Sequence, residues 1–206
     1  MPDATFWDSA AAKYAASPIK DMAAYEATLE RARAFLYQDA SVLEIGCGTG
    51  STALLLAPSV RSYLATDISD GMLRIAKAKL LARGPDNLQF RRAAVMADHP
   101  EGPFDAICAF SIMHLVDDLQ ATLAHLFDQV KPGGVVISKT ACLKEMNALI
   151  RLAIPPMQWI GKAPHVLTFS AADLESAFQI AGFDVVEARY FGKNNAARFI
   201  VARKPS

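Results

Sequence analysis

Residues Val42 to Gly50, reading V-L-E-I-G-C-G-T-G, constrain this chain more than any other stretch. The short apolar run of Val42, Leu43 and Ile45 predicts a buried strand that ends in Gly46, Gly48 and Gly50. Helix-forming apolar sequence resumes at once from Thr52 to Ala57. Strand, glycine turn and helix together present backbone N–H groups and a helix N-terminus to a ligand. Glycine suits such a turn because a Cβ would hold a ligand away from the backbone and because turn positions can require positive φ. Glu44, two residues before the first glycine, places a carboxylate at the strand's C-terminal lip. A negative charge there suits an ammonium or sulfonium better than a pyrophosphate.

Strands and helices alternate from this point. The spacing predicts strand 42–46, helix 50–57, strand 62–67, helix 69–82 capped by Ser69, and strand 87–92. It continues with strand 104–110, helix 117–129, strand 134–140 and helix 144–153. Alternation of this kind builds a parallel sheet with helices on both faces. Residues 5–37 predict two helices parted at Ser17-Pro18, the second with Asp21 as its N-cap. Near the end the pattern changes. After a helix at 171–180, segments 183–191 and 196–203 both read as strands around Gly192-Lys-Asn-Asn195, a tight hairpin that makes one strand antiparallel to its neighbour.

The nonapeptide at 42–50 closely resembles motif I of the class I S-adenosylmethionine-dependent methyltransferases, and nearly all of the chain follows that family in order. Leu64-Ala-Thr-Asp67-Ile-Ser resembles the family's second strand, Phe104 to Ser111 the fourth, and Val130-Lys-Pro-Gly-Gly134-Val-Val-Ile-Ser138 the turn into the fifth. Ala181-Gly-Phe183 resembles the lead into the closing hairpin. The resemblance implies an α/β fold: a doubly wound, seven-stranded, mostly parallel sheet with one antiparallel strand in a C-terminal hairpin. Length fits a single domain over 1–206. The helical segment 5–37 predicts a cap, and 141–169, longer than a simple connection needs, joins 5–25 as the source of a lid.

By the same resemblance the cofactor is S-adenosyl-L-methionine. Gly46, Gly48 and Gly50 would lie along its methionine part, with Glu44 near the ammonium. Asp67 would take the ribose hydroxyls, Ile68 would pack on adenine, and Phe110 ends the fourth strand beside the site. Many relatives carry an Asp after the third strand, where this chain has Ala94-Val95, so the adenine amino contact falls to backbone or to Asp98. Tyr14, in Phe6-Trp7-Asp8-x-x-Ala11-x-x-Tyr14, would close over the cofactor. His114 and His165 are the candidate bases; a packing or hydrogen-bonding role for His114 is favoured over catalysis. The Asp/Asn-Pro-Pro-aromatic tetrad of amino-group methyltransferases is absent after the fourth strand, which disfavours DNA-adenine or glutamine methylation.

Two other readings stay open. Gly48-Thr-Gly50-Ser-Thr-Ala53 satisfies G-x-G-x-x-G/A, the fingerprint of an NAD-dependent oxidoreductase. The fold could also serve as a non-catalytic S-adenosylmethionine-binding module. Composition narrows the partners. Lysine plus arginine equal aspartate plus glutamate at 21 each, so no bulk field draws nucleic acid or an anionic membrane. Three cysteines without C-x-x-C spacing fit a reducing compartment and offer no zinc pattern. The N-terminus lacks the charged and apolar regions of a signal peptide, and the apolar stretch at 149–160 is broken by Arg151, Pro155 and Pro156. The expectation is a cytoplasmic enzyme, without nucleic-acid or membrane partners, acting on a small, partly apolar methyl acceptor.

Overall fold

The computed structural model describes residues 4–159, 161–192 and 197–206. Two helices lead the chain, α1 (Ala4–Ala16) and α2 (Met22–Arg33). Then come β1 (Ser41–Ile45), α3 (Ser51–Leu56), β2 (Ser62–Asp67), α4 (Asp70–Arg83), β3 (Leu88–Arg92), β4 (Phe104–Phe110), α5 (Leu119–Gln129) and β5 (Val130–Ala141). A short 3-10 turn and α6 (Ala148–Trp159) precede α7 (Ala171–Ile180), β6 (Asp184–Tyr190) and β7 (Ala197–Arg203). Helix starts follow local chemistry. Asp21, Ser69, Asp118 and Ser170 each accept a backbone N–H from the first turn of the helix they cap.

The seven strands form one sheet in the order β3-β2-β1-β4-β5-β7-β6. All neighbouring pairs are parallel except β5–β7 and β6–β7, so β7 is the reversed strand. Side-chain alternation divides the core into two layers. Val42, Ala65, Cys108, Ile137 and Val201 face Leu29 of α2, Leu56 of α3 and Leu73 of α4. Leu43, Leu64, Ile107, Val136 and Ile200 face Leu123 and Leu126 of α5 and Phe178 of α7. A sheet covered on both faces leaves only its strand ends open to a ligand. The chain winds outward from β1 to β3 and then restarts at β4 on the other side of β1, so the crevice between β1 and β4 is a topological switch point.

Two segments differ from the sequence-based expectation. β5 starts at Val130 and carries an irregularity against β4 between Phe104 and Ala106, which lets the Lys131 to Gly134 turn join the strand. Helix 144–153 is displaced: a 3-10 turn occupies Leu143–Glu145, and α6 continues through Pro155 and Pro156. Each proline removes one backbone donor. The helix is exposed, with Leu152 at 72% and Trp159 at 89%, so water can take the carbonyls left without a partner. In the expected tight turn, residues 193–195 lie outside the described residues. Among the described residues no helix is long and apolar enough to cross a membrane.

Candidate functional site

A cavity of about 590 Å³ opens at the carboxyl ends of β1, β2 and β4. Gly46 and Gly48 form its floor, Asp67 and Ile68 one wall, and Ala93 to Met96 the adjoining loop. Phe110, Ser111, Ile112 and His114 approach from β4, and Trp7 and Tyr14 reach over from α1. The lining is mainly apolar, which is the usual character of a small-molecule site with a few placed polar groups.

The glycine turn divides its work. Gly46, Gly48 and Gly50 all have positive φ, at 64°, 54° and 74°. A Cβ on Gly50 would fall 2.5 Å from the Phe90 ring and 2.9 Å from Ala76, whereas one on Gly48 would meet nothing nearer than Tyr14 at 4.0 Å. Gly50 therefore serves packing behind the cavity, which it does not line, and Gly48 keeps the floor open. Gly50→Ala is expected to lower folding stability by about 2–4 kcal/mol through overpacking and left-handed strain. Gly48→Ala should lose about 1–2 kcal/mol, from the left-handed strain alone. Thermal unfolding of the two variants side by side checks this; equal losses would refute the division.

Three N–H groups of the turn are already taken. Cys47 N donates to Thr66 O at 2.9 Å, Gly50 N to Cys47 O at 3.0 Å, and Gly48 N to Asp67 Oδ2 at 2.8 Å. This corrects the expectation that the turn offers these donors to a ligand. Asp67 Oδ1 also accepts from Ser69 N at 2.9 Å, so both carboxylate oxygens are anchored by backbone. Burial raises the Asp67 pKa from its ordinary value, and the Ser69 and Gly48 N–H groups oppose that rise. Glu44 does not line the cavity. Strand alternation turns it to the Val42 face of β1, where it is 2% exposed and accepts the Tyr63 hydroxyl at 2.8 Å. Burial pushes its pKa up to about 8.

The two candidate bases are not brought together. His114 lines the cavity; burial lowers its pKa to about 4, and its Nδ1 is buried without a hydrogen-bond partner among the described residues. His165 lines a second hollow of about 510 Å³, together with Phe6 and Ser9 of α1 and with Gln158 and Pro164. Asp98, weighed for the adenine contact, accepts from Gln129 instead and is not in the lining. Tyr14, Ile68, Ala94, Val95 and Phe110 all border the cavity. Unanticipated members are Met72, Leu115, Val116 and the start of α5 at Ala121 and Thr122. Ser111 has φ of 56°, a conformation uncommon for a residue with a Cβ, and its N–H donates to Lys139 O at 2.7 Å. That turn swings the chain after β4 back over the cavity. Among the described residues no group of three or more His, Cys, Asp or Glu side chains could hold a metal ion.

Comparison with known proteins agrees with this geometry. The profile described as a methyltransferase domain matches residues 18–188. A lovastatin diketide synthase of Aspergillus terreus is 29% identical over 163 residues, which cover 72% of this chain but only 7% of the synthase. The demethylmenaquinone methyltransferase of Lactococcus lactis subsp. lactis is 28% identical over 174 residues, 74% of this chain and 69% of that protein. Among solved structures, the DhpI–SAH complex superposes with a TM-score of 0.76 at 21% identity, covering 98% of this chain and 95% of the other; that likeness is one of fold. The seven-stranded sheet with its reversed β7, the glycine turn at the switch point and the match over 18–188 place the chain in the class I S-adenosylmethionine-dependent methyltransferase family.

Proposed function

We propose that this chain, acting as one domain with caps at 5–37 and 141–169, transfers a methyl group from S-adenosyl-L-methionine to a small, partly apolar acceptor. One observation carries the choice of cofactor. The glycine turn commits three of its N–H groups to protein acceptors, and a carboxylate, Asp67, sits beside it. A pyrophosphate needs the opposite arrangement at the turn, donors facing outward. A cationic ligand with a ribose fits what is present. The floor left open at Gly48 has room for the chain of the methionine part, and Asp67 has lone pairs remaining for two hydroxyls. This favours S-adenosylmethionine over NAD.

When bound, S-adenosylmethionine supplies a methyl carbon already activated by its sulfonium, so the protein's work is alignment and exclusion of water. Asp67 would orient the nucleoside, with Ile68 and the Ala94-Val95 backbone against the base. Tyr14 and Trp7 would cover the reacting end, and Met96, Leu115 and Val116 would offer the acceptor apolar surface. The Lactococcus relative, named for demethylmenaquinone, is in keeping with an apolar acceptor. Calorimetric titration with S-adenosylmethionine, with NAD as control, tests the reading. Micromolar binding of the first alone is expected; preference for NAD would overturn it.

His114 is neutral above about pH 5 and so can accept a proton or hydrogen bond from an acceptor, but burial makes it a weak base. A base is most effective when its pKa lies near the working pH. His114→Ala is therefore expected to reduce turnover by no more than about tenfold, whereas loss of a true general base reduces it about 10²–10⁴-fold. Single-turnover rates with a saturating acceptor measure the difference, and a fall into the larger range would assign His114 to catalysis.

A further inference from the structure

Helix α1 packs along α4 and carries Trp7 and Tyr14 over the cavity. Ala11 is its only buried residue. A polar tie to the domain runs through Asp8, whose Oδ1 accepts the Ser69 hydroxyl at 2.6 Å and the Gly71 N–H at 2.8 Å. Ser69 is itself the N-cap of α4, accepting Met72 N at 3.1 Å, and its own N–H donates to Asp67 Oδ1 at 2.9 Å. A continuous line of contacts thus runs from the aromatic cap through Ser69 to the carboxylate at the tip of β2. Gly71 makes the approach close: a Cβ there would lie 3.0 Å from the Asp8 carbonyl oxygen and 3.1 Å from its Cα.

We propose that Asp8 is a positioning residue that latches α1 across the cofactor cavity, coupling closure of the Trp7 and Tyr14 cap to the orientation of Asp67. This rests on the reading of the cavity as an S-adenosylmethionine site. Asp8 lines no part of that cavity and acts through Ser69 and through its own helix. The chemistry is favourable for a latch. A carboxylate at the N-terminus of the 14-residue α4 meets unpaired helix donors and the positive end of the macrodipole. Both of its contacts are charge-assisted, which strengthens them beyond neutral hydrogen bonds. Both also use the same oxygen, so an asparagine with its carbonyl at Oδ1 can make them while losing only the charge.

The test uses the 206-residue parent, Asp8→Ala and Asp8→Asn, with two readouts: calorimetric affinity for S-adenosylmethionine, and the rate of tryptic cleavage at the exposed Lys13 of α1. Asp8→Ala should weaken binding about tenfold or more while Asp8→Asn stays within about threefold of the parent, because the amide restores the hydrogen bonds. Cleavage at Lys13 should accelerate several-fold in Asp8→Ala and remain near the parent rate in Asp8→Asn. Parent-like affinity and cleavage in Asp8→Ala would overturn the latch, as would an Asp8→Asn variant as impaired as Asp8→Ala. Failure of the parent itself to bind S-adenosylmethionine would instead overturn the cofactor reading, and the cleavage rates would still decide for or against the latch.

Discussion

Asp67→Ala is expected to reduce affinity for S-adenosylmethionine by about 10²–10⁴-fold, since two hydroxyl contacts to a charged acceptor contribute about 1.5–3 kcal/mol each. The fold should survive. Asp67 stands at the end of β2, and its removal leaves the Gly48 and Ser69 N–H groups without their acceptor, costing at most about 1–3 kcal/mol each, less where water enters the opened site. Calorimetry alongside a thermal melt separates the two effects. Unchanged affinity in a folded variant would remove Asp67 from the site. Asp67→Asn is a poor substitute, because two backbone donors converge on its two oxygens and an amide nitrogen would face one of them.

The second large effect concerns stability and pH. Glu44 has an ordinary pKa of 4.5 when unfolded, and burial raises it to about 8 in the folded chain. Between those values the folded protein holds a proton that the unfolded chain has lost. Stability therefore falls as pH rises across this window, by about 1.4 kcal/mol per unit from this group, and levels off above the folded pKa. Glu44→Gln removes the titrating group but keeps an oxygen for the Tyr63 hydroxyl. The variant should gain on the parent steadily from pH 5 to pH 8 in urea unfolding. Parallel curves for the two proteins across that range would show that Glu44 does not carry the effect.

The parts of this molecule readable from sequence are those set by neighbours along the chain. The glycine turn after β1, Asp67 at the end of β2 and the alternation that gives the sheet all depend on local spacing. Glu44 illustrates a finer limit. The strand period places it on the Val42 side, so its burial against Tyr63 was legible in principle, but its position beside the glycines drew it into the site. Asp8 and Ser69 lie 61 positions apart, and no local pattern joins them. His114 and His165 fall in different hollows because the packing of α6 and the segment after it, not spacing, decides where His165 goes. Helix α6 itself passes through Pro155-Pro156, against local propensity, on a surface where solvent can satisfy the freed carbonyls.

The two tryptophans of this chain report from unlike places. Trp159 is 89% exposed at the end of α6, whereas Trp7 sits edge-on to Phe6 and Tyr14 on the wall of the cavity. Intrinsic fluorescence therefore splits into a solvent-like component, quenched readily by iodide, and a shielded one that senses what fills the pocket. With Trp159 replaced by phenylalanine, the protein carries its own optical readout of ligand arrival and needs no attached dye.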